Sequence, residues 1–295
     1  MNIPEDNYSI DQLAQTITRQ NCYMQGLDYT MISDVERNKF YDDLIENIVK
    51  DKIVCDIGFG SGILTMMALH HGAKKVYAFE QDAATFDFGK AVIERMGYTD
   101  KVEFFNKKWE RTNPAYSYDI ILHELFMRSM WGEGLKEIAN SNRGFVGDIF
   151  PHLLTCKIVC LCDVVDTSTI GHAKIPEINT GIDYLDNMNE CFKYLLNSPE
   201  YYAFYPNAHH KKQFNHHIGE YSININKETI PDIIQVEVDI PENCLVTTKC
   251  FAHDFEIVRP DGHWPADKIV YNETGGNKVF NHRTSDGAWW LNDNS

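Results

Sequence analysis

The run Asp56-Ile57-Gly58-Phe59-Gly60-Ser61-Gly62 follows the apolar stretch Ile53-Val54-Cys55, and an acid, Glu80, closes the next apolar stretch, Val76-Tyr77-Ala78-Phe79. Alternate glycines let a backbone turn sharply and come close to a ligand that a Cβ would exclude. A carboxylate at the tip of the neighbouring strand is placed to accept from two ribose hydroxyls. Together they read as a nucleoside site. A dinucleotide fingerprint has Gly-x-Gly-x-x-Gly, its third glycine packing a helix close to a pyrophosphate. The spacing here is Gly-x-Gly-x-Gly, which favours S-adenosyl-L-methionine over a nicotinamide.

Such a loop needs a strand before it, a helix after it and a second strand to carry the acid. Ile63 to Leu69 is apolar at helical spacing and Gly72 marks its end. Strands are predicted over 52–56, 75–80, 102–106 and 119–123, with crossover helices over 63–70 and 85–96, the pattern of a parallel α/β sheet. Two further helices are predicted ahead of it, over 9–19 and 36–49. From about Pro151 the texture changes to strand-like runs over 152–165, 233–240, 244–258 and 268–271. Ile182, Leu185, Met188, Phe192 and Leu195 interrupt them at helical spacing. The expected architecture is therefore a Rossmann-like α/β part followed by a mostly antiparallel β-rich part with a helical insertion.

Length and composition bound the rest. At 295 residues, 43% hydrophobic and 24% charged, the chain can build one large or two ordinary cores. A formal net charge of −16 argues against a nucleic-acid-binding face and suits a cationic substrate. The eight cysteines are scattered, with Cys55, Cys156 and Cys160 in apolar runs, and read as buried reduced thiols. Paired histidines (His70-His71, His209-His210, His216-His217) lack the spacing of metal ligands, so no metal is expected. The polar N-terminus has no apolar run near the length of a signal peptide or membrane span. A soluble, cytoplasmic protein is expected.

At the end of the fourth predicted strand stands Leu122-His123-Glu124-Leu125-Phe126, and nine residues after Glu124 comes Glu133 within Gly132-Glu133-Gly134. Acids outside the carboxyl ends of a parallel sheet lie where such folds keep their ligands. With this spacing the chain resembles the protein arginine N-methyltransferases, class I S-adenosylmethionine-dependent enzymes that carry a double-glutamate loop. The wording Glu-Leu-Phe with Gly-Glu-Gly is closest to the type III, monomethylating branch. Met31-Ile32-Ser33-Asp34-Val35-Glu36-Arg37 resembles the segment in which a methionine packs near the sulfonium and an arginine pairs with the cofactor carboxylate. Lys108-Trp109-Glu110 resembles the stretch whose acid meets the adenine amino group, and Gly262-His263-Trp264 the loop that closes the substrate pocket. The chain departs from the family at Gly262, where a threonine is usual, and at Met127-Arg128-Ser129-Met130, where type III relatives carry acids.

The resemblance implies three segments. Residues 1–50 would cover the cofactor, 51–150 would form the Rossmann-like domain, and 151–295 a β-barrel-like substrate domain with a helical arm near 180–200. It implies Glu124, Glu133 and His263 as catalytic residues and Met127 and Trp264 as pocket residues. Met31, Arg37 and Glu110 would join Asp56, Gly58, Gly60, Gly62 and Glu80 in holding S-adenosyl-L-methionine, which leaves as S-adenosyl-L-homocysteine. The implied partners are an arginine-containing protein or peptide and a second copy of the chain. Two other readings stay open: methyl transfer to a small molecule or a non-arginine peptide group, and a silent cofactor-binding scaffold.

Overall fold

The computed structural model describes residues 34–110, 117–126, 130–142, 147–161, 216–257, 270–272 and 274–293. The helices expected over 9–19 and around 182–195 lie outside them, as do Met31, Met127, His263 and Trp264.

The first described element is helix α1 (Val35–Glu46), whose N-cap Asp34 accepts from the Arg37 amide at 3.0 Å. It ends three residues earlier than its periodicity suggested, at the cap Asn47. Then follow β1 (Ile53–Ile57), α2 (Ile63–His70), β2 (Lys75–Glu80), α3 (Ala83–Arg95), β3 (Val102–Asn106), β4 (Ile120–His123), α4 (Leu135–Ser141) and β5 (Asp148–Phe150). The five strands form one parallel sheet in the order β3-β2-β1-β4-β5. Chain order reverses between β1 and β4, and crevices at such a switch point hold ligands.

Side chains alternate across this sheet, and the two faces belong to different cores. Val54, Val76, Ala78, Ile120 and Leu122 pack against Tyr41, Ile45, Leu64, Ala68 and Ile93 of the helices. Cys55, Ile57, Phe79 and Ile121 face the other way, into a cluster shared with Trp131, Ile158, Val246, Phe280 and Trp289. The second face is thus covered by the β-rich half.

That half comprises β6 (Leu153–Leu161), β7 (His216–Asn224), β8 (Ile233–Ile240), β9 (Cys244–Ala252), β10 (Phe255–Glu256), β11 (Val270–Asn272), β12 (Gly276–Arg283) and β13 (Trp289–Asp293). All pairings among them are antiparallel, in one sheet ordered β10-β9-β6-β7, with β11 on β9, and another ordered β13-β12-β8. The single strand expected over 244–258 is a hairpin instead. The chain turns at His253 (φ 56°) and Phe255–Glu256 pairs back on Phe251 and Ala252. Strands β5, β7, β12 and β13 had no clear alternation to announce them. Lys278, Asn281 and His282, all buried on β12, mask its period.

Helix α3 lies directly on the glycine loop. A Cβ at Gly89 would stand 1.9 Å from the Gly60 carbonyl oxygen and 2.7 Å from Phe59 Cε2. An alanine inside a helix normally adds roughly 0.5–1 kcal/mol over glycine. Here the sign should reverse: Gly89→Ala is expected to destabilise the protein by about 1–3 kcal/mol through overpacking. A chemical-denaturation midpoint at or above that of the wild type would overturn this.

Candidate active site

Three neighbouring strand ends build the site. After β1 the chain turns through Gly58 (φ 73°), Gly60 (φ 52°) and Gly62 (φ 85°), and Gly62 opens α2. Left-handed backbone of this kind suits glycine. The amides of Gly58 and Phe59 both donate to the Phe79 carbonyl, at 2.8 and 3.0 Å, tying the loop to the end of β2.

Glu80 follows immediately, and its two carboxylate oxygens accept from the amides of Gly60 (3.4 Å) and Asp82 (2.9 Å). Burial raises its pKa, and those amides work against the rise. It therefore stands at the loop's edge as an oriented acceptor. Asp56, on the neighbouring strand β1 and fully buried, accepts from the Thr65 hydroxyl at 2.7 Å. Its other oxygen has no hydrogen-bond partner, and burial lifts its pKa to about 6. Positive-φ glycines, an oriented acid and an orphaned buried oxygen together fit a nucleoside whose hydroxyls and amines would complete these contacts.

The end of β4 supplies the charged part. His123 is the register partner of Ile57, and Glu124 continues from it past the strand end. The imidazole is fully buried; Nε2 is 3.0 Å from the Pro151 carbonyl and Nδ1 accepts from the Leu125 amide at 3.3 Å. A carbonyl can only accept and an amide only donate, so the ring is the neutral Nε2–H tautomer. Burial holds its pKa down at about 4. The Tyr41 hydroxyl of α1 donates to the His123 carbonyl at 3.0 Å, pinning the helix to the strand end.

One turn before Tyr41, Arg37 is 2% exposed, and its Nε lies 3.5 Å from the Glu124 carboxylate, itself 13% exposed. Its guanidinium also sits 5.1 Å from the Tyr41 ring centroid. The i,i+4 spacing of Arg37 and Tyr41 puts both on one helix face, a signal that could have marked Tyr41 in the sequence. Leu125 reaches the glycine loop, 3.8 Å from where a Gly58 Cβ would be.

Glu133 is exposed in a left-handed conformation (φ 41°), between Gly132 (φ 147°) and Gly134 (φ 81°), which opens α4. The preceding Trp131 is fully buried and donates through Nε1 to the Tyr221 hydroxyl at 2.8 Å. On α4, Asn140 exchanges hydrogen bonds with both backbone groups of Ile230, each at 3.0 Å, and Lys136 pairs with Asp232. The segment bearing Glu133 is thus fastened to the β-rich half at several points. Glu110 is exposed beside the buried Trp109. Sequence reading missed Tyr41, Gly89 and the structural role of His123.

A family model described as ribosomal protein L11 methyltransferase matches residues 9–129. Protein arginine N-methyltransferase 1 of Saccharomyces cerevisiae is 35% identical over 103 residues, 34% of this chain and 29% of its own. Protein arginine N-methyltransferase 7 of Bos taurus is 33% identical over 142 residues, 42% of this chain and 20% of its own. The crystal structure of PRMT6-SAH superposes with a TM-score of 0.63 at 15% identity, covering 90% of this chain and 98% of that one. The chain is related to the protein arginine N-methyltransferases and has their fold. The matched segment spans less than a third of the length of those two curated relatives.

The neutral, buried His123 makes a pH prediction. An unfolded histidine titrates near 6.5 and His123 near 4, so between those values the native state holds fewer protons and stability falls as pH drops. The contribution is about 2 kcal/mol between pH 7 and pH 5. Asp56 acts in the opposite sense over part of this window, because its raised pKa makes protonation relieve its burial. Comparing the wild type with His123→Gln, which keeps a donor and an acceptor, isolates the histidine. Urea unfolding at the two pH values should show that much less acid sensitivity in the variant; equal sensitivity would overturn the assignment.

Proposed function

We propose that this protein transfers the methyl group of S-adenosyl-L-methionine to a guanidinium nitrogen of a protein or peptide arginine, forming monomethylarginine and S-adenosyl-L-homocysteine. The observation that carries this reading is the meeting, at one switch point, of the glycine loop, Glu80 and a glutamate, Glu124, that already holds a guanidinium.

Glu80 would take the ribose hydroxyls, Glu110 the adenine amino group, and Gly58, Gly60 and Gly62 would let the backbone close on the nucleoside, with Asp56 bracing the loop through Thr65. Arg37 would share its charge between Glu124 and the cofactor carboxylate, and Met31 would pack beside the sulfonium. Bound there, the cofactor supplies a methyl group activated by that sulfonium.

A guanidinium is a weak nucleophile because its lone pairs are delocalised and it stays protonated. Glu124 and Glu133 would grip it as a fork and draw positive charge onto the nitrogens they touch, leaving the remaining nitrogen richer in electrons. Orientation of that nitrogen is the largest single contribution, on the order of 7–11 kcal/mol in favourable intramolecular models. The departing proton would leave through Glu133 or His263. Met127 and Trp264 would wall the pocket. The division at about residues 50 and 150, a barrel-like second domain and a head-to-tail homodimer through an arm near 180–200 complete the proposal.

Methyl-labelled S-adenosylmethionine with an arginine- and glycine-rich peptide, followed by acid hydrolysis, tests it. The wild type should yield labelled monomethylarginine. Glu133→Gln, at an exposed position, should fold as the wild type does and lose on the order of a hundredfold or more in turnover while still binding the cofactor. Cofactor binding without any labelled arginine would overturn the arginine assignment. Deleting 182–196 should reduce the assembly to monomer, and an unchanged mass by light scattering would refute the arm.

A further inference from the structure

Inside the β-rich half, four strands and the Glu133 segment meet in a buried polar cluster that methyl transfer does not use. Cys156 of β6 and Cys250 of β9 are direct register partners, both fully buried and unbridged. Their sulfurs are 4.0 Å apart, with the Cys250 thiol donating to Cys156. On the other side of β6, the register partner of Cys156 is Tyr221. The Tyr221 hydroxyl accepts from Trp131 Nε1 at 2.8 Å and lies 2.8 Å from Nδ1 of the fully buried His282. An indole can only donate, so Trp131 occupies one lone pair of the Tyr221 oxygen, while the proton between that oxygen and Nδ1 can sit on either partner; the other ring nitrogen of His282 is Nε2. That buried Nε2 has no hydrogen-bond partner.

Facing residues of an antiparallel pair have Cα atoms about 4.5–5.5 Å apart, inside the roughly 4.4–6.8 Å that a disulfide spans. The two sulfurs therefore need side-chain rotation and no strand movement to bond. Cys160, two turns of the pleat further along β6, faces Val246 instead. Burial opposes ionisation of Cys156, but the Cys250 thiol, His282 and Tyr221 outweigh it and hold this thiol below its ordinary value. A buried cysteine is ordinarily inert; this one has a thiol neighbour and a set of donors.

We propose that Cys156 and Cys250 form a reversible cross-strand disulfide, and that its formation is transmitted through Tyr221 and Trp131 to the loop carrying Glu133. The oxidant is a hydroperoxide, hydrogen peroxide in the simplest case, admitted by local opening of the packing over β6 and β9. The Cys156 sulfur attacks a peroxide oxygen, the O–O bond breaks, and the departing hydroxide takes the thiol proton to leave water and a sulfenic acid. The Cys250 sulfur then attacks Cys156, the S–O bond breaks, and a second water leaves with the remaining proton. Two thiols lose two electrons and one peroxide gains them; a dithiol reductant reverses the change. Removing the Cys250 proton deletes the hydrogen bond to Cys156 and rearranges the donors around Tyr221, on which Trp131 hangs.

Purified wild type is treated with hydrogen peroxide, alkylated under denaturing conditions and analysed by peptide mass spectrometry, with hydrogen–deuterium exchange followed at residues 130–135. The expected result is a linked Cys156–Cys250 peptide pair that dithiothreitol releases, with exchange at 130–135 rising several-fold on oxidation. Cys250→Ser and Cys250→Ala should show neither change. Alkylation of both thiols after peroxide treatment would overturn the disulfide; a linked pair with unchanged exchange at 130–135 would overturn the transmission. Neither readout needs methyl transfer, so this proposal and the proposed function stand or fall separately.

Discussion

A parallel sheet buried on both faces must find two covers, and in this protein the covers differ in kind. Helices α1, α2 and α3 close one face over Val54, Val76 and Leu122. The β-rich half closes the other over Ile57, Phe79 and Ile121. Because the second cover comes from far along the chain, the sheet that carries β1, β2 and β4 is buried only with both halves in place. Apolar burial, at roughly 25 cal/mol per Å², is what holds the two together.

The segment between β4 and α4 works as a strap across that boundary. Met130, Trp131 and Leu135 are fully buried in the shared core, while the glutamate between them stays exposed. Asn140 and Asn226 each bond both backbone groups of a residue in the other half, Ile230 and Ile149. An acid on a loop is only as well placed as the loop's anchors, and each of these asparagines is held by two hydrogen bonds to one residue.

Charge near the switch point is arranged by neutralising one group and pairing two others. His123 is kept neutral by burial, so it bonds Pro151 and Leu125 without adding a cation beside Arg37. Arg37 and Glu124 then compensate each other at low exposure, where an unpaired charge would be costly. Tyr41 ties this arrangement to the strand by donating to the backbone of His123 and offering its ring to Arg37.

Local signals were enough to read the first half. Glycine spacing, an apolar run on each side and an acid at a strand tip are short-range patterns, and β2, β3 and α2 have the bounds that those patterns predict. The nine-residue spacing of Glu124 and Glu133 was equally legible. Strand β12 was not, because its buried polar residues Lys278, Asn281 and His282 erase the apolar alternation, Asn281 accepting from Gln235 of β8 at 2.8 Å; β7 was not, because its largely exposed polar residues leave little apolar period to read. Gly89 carried no signal in the sequence, and only the Gly60 carbonyl packed against it shows why a side chain is excluded there. By itself the sequence determined the strand–loop–helix unit and the acids it presents, since those depend on backbone freedom and hydrophobic period. Only the tertiary structure decided that Arg37 meets Glu124, that Trp131 reaches Tyr221, and that Cys156 faces Cys250. Each of those contacts joins residues far apart in sequence, or on separate elements, through a packing geometry that no local pattern encodes.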